Sequence, residues 1–173
     1  MNADQIKSAV LSAIQVVTDE MGLELAVGPL NDLDWAYLSG GYGHLNWDAG
    51  LTEYGNQEWS FDVGLKLQSD TRLLNAAILG VFHPETDTLE MHFVESFIRR
   101  EDQHQLKGRV FKMMIIASYL YVAAVGGSTV RLMDVEPELI AYYSSFGFQS
   151  DGQDMHQSRE DLAATFVRIT EEA

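Results

Sequence analysis

The sequence predicts a mixed α/β domain, α+β in type, with a mostly antiparallel central sheet, one parallel βαβ crossover and flanking helices. Three observations carry this. From Trp59 to Leu67 apolar and polar residues alternate, and two more strand-like runs follow after short turns, the signature of an antiparallel meander. Beyond residue 99 the order becomes loop, helix, strand, helix, and a strand that rejoins its sheet through a helix lies parallel to the strand before it. The chain has 173 residues, 46% of them apolar and 21% charged, which suits one folded unit with a real core.

Each element has a local cause. Residues 4–21 repeat Ile6, Val10, Ala13, Ile14 and Val17 at helical spacing, and Gly22 is a stop. Leu23 to Val27 reads as a short strand closed by Gly28-Pro29. Residues 31–57 interleave Trp35, Trp47 and five glycines without a sustained period. They are expected to be part helix and part loop, serving either as a pocket wall or as a loop packed on its own aromatics. The strand 59–67 reads as half-buried, with Ser60, Asp62, Gly64 and Lys66 turned to water. Strands at 72–82 and 88–98 follow, joined through a turn at Pro84. A polar loop leads to an apolar helix at 108–124, ended by Gly126-Gly127. Then come a strand at 129–135 and a helix at 137–146, with Pro137 in the first turn, where its missing N–H costs little. The tail reads as a strand at 153–157 and a helix at 159–170 capped by Ser158. No repeat, low-complexity tract or linker interrupts the chain, so 1–173 is read as one domain.

Charge and composition exclude several functions. Eleven Lys and Arg stand against 26 Asp and Glu, a formal net charge of −15. Phosphate backbones are held by clustered cations, so nucleic acid is not an expected partner; a cationic or amine-bearing one is. The absence of cysteine removes disulfides, thiolate metal sites and a Cys nucleophile. His44, His83, His92, His104 and His156 form no close ligand pair, so no metal is expected. Without a signal-peptide pattern or a bilayer-length apolar run, no membrane association is expected, and the predicted location is cytoplasmic.

Three groups of residues carry chemistry. Five of the eleven cations, Arg99, Arg100, Lys107, Arg109 and Lys112, fall in 99–112 beside only two acids, Glu101 and Asp102. This basic island sits where a strand hands over to the buried helix, with Gly108 at the entry. Free amides and the positive end of the helix dipole make that an anion site, suited to pyrophosphate; the alternative is that the cations neutralise neighbouring acids. Second, Leu89, Met91, Phe93, Glu95 and Phe97 share one face by parity, which places an acid among apolar side chains and suits a general base. The alternative is a strand end that turns Glu95 to water. His92 falls on the opposite face and reads as a satisfied sheet histidine. Third, Tyr142-Tyr143 lies on a helix, where adjacent residues diverge by about 100°. One of the two can line a site as a proton donor, or both can be packing residues.

Two motifs resemble the GNAT superfamily of acyl-CoA-dependent N-acyltransferases. Gln105-Leu106-Lys107-Gly108-Arg109-Val110 is similar to the family's Q/R-x-x-G-x-G/A loop. Glu136 to Phe148 (EPELIAYYSSFGF) is similar to its N-x-x-A-x-x-x-Y-x-x-x-G-F, with Tyr143 on the tyrosine and Gly147-Phe148 on the G-F. The resemblance covers about 59–150, which it implies is the acyl-CoA-binding core, with 1–58 forming the acceptor side and 151–173 a C-terminal strand and helix. It implies acetyl-CoA as cosubstrate. Phe97, Ile98 and Arg99 would line the pantetheine arm with their backbone. Gln105, Lys107, Gly108, Arg109 and Val110 would hold the pyrophosphate, Tyr143 would protonate the leaving thiolate, and Glu95 would deprotonate the acceptor amine. The chain departs from the pattern at Val110, where a small residue is usual, at Glu136 for Asn and at Leu139 for Ala. The expected function is acetyl transfer to a primary amine of a cationic acceptor by direct attack. The acceptor would be a small cationic molecule or a basic protein. The alternative is a non-catalytic module of the same fold that engages a basic partner protein through its acidic surface. A homodimer stays open, through the C-terminal helix face of Leu162, Phe166 and Ile169.

Overall fold

The computed structural model describes residues 1–172. The chain runs α1 (Ala3–Glu20), β1 (Leu25–Gly28), α2 (Asp32–Ser39), α3 (Trp47–Tyr54), β2 (Ser60–Leu67), β3 (Ala76–His83), β4 (Thr88–Ser96), α4 (Val110–Val125), β5 (Thr129–Leu132), a 3-10 turn (Pro137–Leu139), α5 (Ile140–Ser144), β6 (Gln149–Asp151), β7 (Asp154–Ser158) and α6 (Arg159–Glu171). One seven-stranded sheet has the order β1-β2-β3-β4-β5-β7-β6. Among the described residues only β4 and β5 pair in parallel, so the expected meander and crossover are both present. No helix among the described residues is long and apolar enough to cross a membrane.

The polar ends of the helices carry their own caps. Asn2 caps α1 with a reciprocal bond to Gln5, Asn31 caps α2 with Asp34, and Ser158 caps α6 through the Asp161 amide. Residues 31–57 resolve into two short helices, α2 and α3. They cover the second face of the sheet, and this overturns the half-buried reading of β2. Asp62 is 4% exposed and accepts from Lys7 and from the Leu30 amide at 2.8 Å, while Lys66 pairs with the buried Asp34 at 3.1 Å. The polar positions of β2 are thus satisfied inside the protein and do not face water. β6, which the sequence did not announce, is a three-residue exposed edge strand.

Two apolar layers result. On one face α1, α4 and α6 pack around Ile14, Phe61, Ile78, Leu89, Met114 and Tyr121. On the other, α2 and α3 pack Leu38, Trp47 and Leu51 against Ala77 and Leu79, with Phe93 and Phe97 beside them. Burying a large side chain in either layer contributes about 1.5–3 kcal/mol.

β4 belongs to both layers because it contains a bulge. Leu79 pairs with Phe93 but Gly80 pairs with Met91, leaving His92 as the extra residue. Leu89 and Met91 therefore face the α4 layer, whereas Phe93, Glu95 and Phe97 face α2 and α3. The shared face expected from parity is broken at His92, and Glu95 sits on the layer opposite Leu89. Gly80 makes room for the bulge: a Cβ there would lie 2.7 Å from both the Glu90 carbonyl oxygen and Met91 Sδ. β4 and β5 pair only from Thr88/Thr129 to Met91/Leu132, and one more bond, Met133 N–H to Met91 O at 3.0 Å, closes the ladder. Beyond it the two strands part.

Candidate active site

Two cavities meet where the strands part, and they share Leu45, His92, Met133, Asp134 and Glu136. The first, about 140 Å³, lies on the α4 side and is walled by Phe111, Met114, Val94 and Tyr143. The second, about 350 Å³, lies on the α3 side and is walled by Gly50, Glu53, Tyr54 and Phe93. Asp134 and Glu136 border both cavities; the first is otherwise mostly apolar, and the second adds the Glu53 carboxylate. Gly50 keeps the second mouth packed on β4, since a Cβ there would sit 2.5 Å from the Phe93 ring.

Tyr143 is the tyrosine that lines the slot; Tyr142 stays outside it, 42% exposed. The Tyr143 ring stacks on Phe111 at 4.1 Å and 8° between planes, which fixes its direction. Burial, and then the neighbouring Tyr142, push its phenol above the usual tyrosine range, so it stays protonated as a donor.

Glu95 has three donors. His44 N–H reaches Oε2 at 2.7 Å, while Leu45 N–H and Trp47 Nε1–H reach Oε1 at 3.1 and 2.8 Å. The carboxylate pins the 43–47 segment to β4, and Gly43 permits the approach, because a Cβ there would lie 2.5 Å from Oε1. Glu95 is 9% exposed and, with Phe97, Ile98 and Arg99, lines a separate cavity of about 520 Å³ closed by Tyr42, His44 and Arg100. This cavity is larger than either part of the slot and also holds a tyrosine, a histidine and carboxylates, but it lies past the end of β4, whereas the slot lies where β4 and β5 part and Tyr143 enters, and the slot is the better candidate for chemistry. Phe97–Arg99 lie past the end of β4 and continue its open edge outward, while Met91, His92 and Val94 form the slot itself.

The loop before α4 is held from within. Leu106 is fully buried, Arg109 N–H donates to Leu106 O at 2.8 Å, and Gly108 has φ +75°, a conformation that suits glycine. Gln105 Oε1 accepts from the Glu24 amide at 2.7 Å, Lys107 Nζ donates to Arg100 O, and Arg109 Nη1 donates to Gln105 O at 3.2 Å. Arg109, at the N-cap, offers no side-chain cap. No described residue accepts from the amides of Gly108, Val110, Phe111 or Lys112. Of the sequence-predicted residues, Gly108 and Val110 have free amides and Arg109 does not; Lys112, expected as a cation of the basic island, adds a third free amide, and Phe111, which sequence reasoning passed over, completes the set. The Val110 side chain is buried in the α4 layer. Lys112 is the one cation of the basic island in an ion pair among the described residues, 3.7 Å from Glu172. Direct ion pairing with neighbouring acids thus accounts for one of the island's five cations among the described residues. No group of three or more His, Asp or Glu side chains disposed to hold a metal occurs among the described residues.

The fold has counterparts in known structures. The fold is similar to spermidine N-acetyltransferase from Vibrio cholerae, solved in complex with CoA and spermine, at 12% identity and a TM-score of 0.58, covering 81% of this chain and 98% of that one. It is similar to an aminoglycoside 6'-N-acetyltransferase from Enterococcus faecium at 13% identity and 0.58, covering 78% and 97%. It is also similar to the ribosomal-protein-S18-alanine N-acetyltransferase of Escherichia coli at 16% and 0.56, covering 78% and 93%. No family model matches the sequence, and no curated protein matches it. The chain has the GNAT fold, the architecture of the acyl-CoA-dependent N-acetyltransferases.

Proposed function

We propose that the protein transfers an acetyl group from acetyl-CoA to a primary amine of a cationic acceptor. The observation that carries this reading is the two-mouthed slot, lined by Tyr143 and apolar side chains toward α4 and α5 and by Glu53 toward α3, with Asp134 and Glu136 where the two cavities meet. The structural relatives named above are described as acting on spermidine, on aminoglycosides and on an alanine of ribosomal protein S18.

Acetyl-CoA supplies the activated acyl group. The residues present fit it: the free amides of Gly108, Val110, Phe111 and Lys112, with the side chain of Lys107, suit a pyrophosphate. The open edge of β4 from Arg99 back to His92 suits the pantetheine amides. Tyr143 holds a proton at the thiol end of the slot. Glu53, Asp134 and Glu136 draw a cation to the other mouth, and His92, rather than Glu95, stands where its amine would arrive. Glu95 keeps the acceptor-side loop in place.

Thiol release from acetyl-CoA across a panel of polyamines, aminoglycosides and basic peptides tests the reading. Turnover with at least one cationic amine is expected; binding of acetyl-CoA without turnover on any amine would sink it. Charge reversal by Lys107→Glu, and obstruction by Gly108→Trp, should each weaken CoA by roughly ten- to a hundredfold, as expected for losing a charge-assisted phosphate contact. A calorimetric dissociation constant unchanged in both would place the pyrophosphate elsewhere.

A further inference from the structure

We propose that His104 is a positioning residue for CoA: with Nδ1 unprotonated it holds the turn that presents the phosphate-binding amides, and protonation releases that turn. The proposal rests on the acetyl-CoA reading and adds a control on its cosubstrate site. His104 Nδ1 accepts from the Leu106 N–H at 3.0 Å, and among the described residues it is that amide's one acceptor. The bond spans two residues, the reach over which an Asn side chain closes a turn on its own backbone. The His104 carbonyl oxygen also accepts from the Lys107 N–H at 3.1 Å, so one residue holds both Leu106 and Lys107. Leu106 anchors the loop. Its side chain is fully buried in the α4 layer, and its carbonyl oxygen takes the Arg109 N–H at 2.8 Å. Gly108 and the free amides of Val110, Phe111 and Lys112 follow at once in the chain, so their direction depends on how Leu106 is seated.

The two ring nitrogens make this contact sensitive to pH. Because Nδ1 accepts, the neutral imidazole carries its proton on Nε2, which is enclosed with no hydrogen-bond partner. A second proton goes to Nδ1 and meets the Leu106 N–H. Two donors then oppose each other, the bond is lost, and the cation has no acceptor at Nε2 either. Burial keeps the imidazole below its usual range, against the opposing pull of Asp102, so the accepting form prevails at neutral pH. Asp102, on the same loop, is the charged group that acts on the ring. The cations beside it are engaged with backbone, Lys107 with Arg100 O and Arg109 with Gln105 O. Glu24, from the segment between α1 and β1, meets the loop through its amide, on Gln105 Oε1. CoA affinity is therefore full above the His104 pKa and falls as pH drops through it. An imidazolium acting only as an added charge would do the reverse and tighten an anion on acidification.

The test is the calorimetric dissociation constant for CoA, from about pH 8 down to about pH 5, in the full-length wild type and in His104→Asn and His104→Ala. Asn Oδ1 stands in for Nδ1 as acceptor and does not titrate. His104→Asn should therefore bind CoA within about threefold of wild type at the alkaline end, whereas His104→Ala, with no acceptor, should be about tenfold weaker or more. On acidification the wild-type constant should rise relative to that of His104→Asn by up to about tenfold per pH unit below the His104 pKa. The phosphates of CoA titrate alike against every variant, so that difference isolates the imidazole. A wild-type profile that runs parallel to that of His104→Asn, or tightens against it, overturns the proposal. Hydrogen exchange at the Leu106 amide reads the turn without a ligand. Its protection factor should fall through the His104 titration in wild type and stay level in His104→Asn; a level wild type also overturns the proposal. A wild type that binds no CoA at any pH yet loses that protection would sink the CoA reading while upholding the pH-released turn.

Discussion

Replacing Tyr143 by phenylalanine is expected to lower kcat by about 100- to 10,000-fold while the dissociation constant for CoA stays within about twofold. The phenol is the one proton donor on the α5 wall of the slot, and its ring is already fixed by stacking on Phe111, so removing the hydroxyl leaves the cavity shape intact. A loss in kcat without a loss in binding is the mark of an interaction made in the transition state. The pH dependence follows from the same geometry. Burial raises the phenol pKa, so in wild type the donor form persists as pH rises and is lost only above the ordinary tyrosine range. The alkaline limb of kcat should lie there, and Tyr143→Phe should abolish it. Full turnover in the variant would remove Tyr143 from the chemistry.

Glu95→Ala is expected to lower the melting temperature by on the order of 10 °C. Three N–H groups lose their charged acceptor, and one of them belongs to Trp47, which is fully buried. Stranding a buried donor costs about 1–3 kcal/mol, and partial rehydration of the two loop amides limits the total to roughly 3–5 kcal/mol. In a domain of this length each kcal/mol moves the midpoint by about 2–4 °C. Glu95→Gln should cost less, because Oε1 still serves Leu45 and Trp47 while the new amide opposes the His44 N–H. In that variant the acidic limb of kcat/KM should stay where wild type has it. A stable Glu95→Ala protein, or a Glu95→Gln protein that loses the limb, would return the base role to Glu95.

Most of the fold was legible in the sequence because its elements are long and periodic: α1, α4, α6 and the β2–β3–β4 meander fall within a few residues of where alternation and helical spacing place them. The bulge was not. The odd positions of β4 read Leu89, Met91, Phe93, Glu95, Phe97, an unbroken alternation, and both faces of the strand are covered by apolar layers. A swap of faces in the middle therefore leaves the apolar pattern unchanged. Gly80 is the one trace of it, and a glycine inside a strand does not say which neighbour bulges. His92 was misread for the same reason, since parity put it across the sheet from its true surroundings. β2 misled in the other direction: Asp62 and Lys66 look like solvent positions until Lys7 and Asp34, distant in sequence, arrive to pair with them. Of the candidate site, Tyr143 and the Gly108 turn were visible through motif spacing. The carboxylate mouth was not, because Glu53, Asp134 and Glu136 come from two distant segments that only the fold brings together.

The slot opens on both faces of the sheet, and this has a kinetic consequence. Two reactants that enter by different doors need not queue. Under the proposed acetyl transfer neither has to depart before the other is seated, and the acyl group would pass once, from donor to acceptor, with no stop on the protein. Initial-velocity plots against one reactant at several fixed levels of the other should therefore converge to a common point; a family of parallel lines would mean the doors are one.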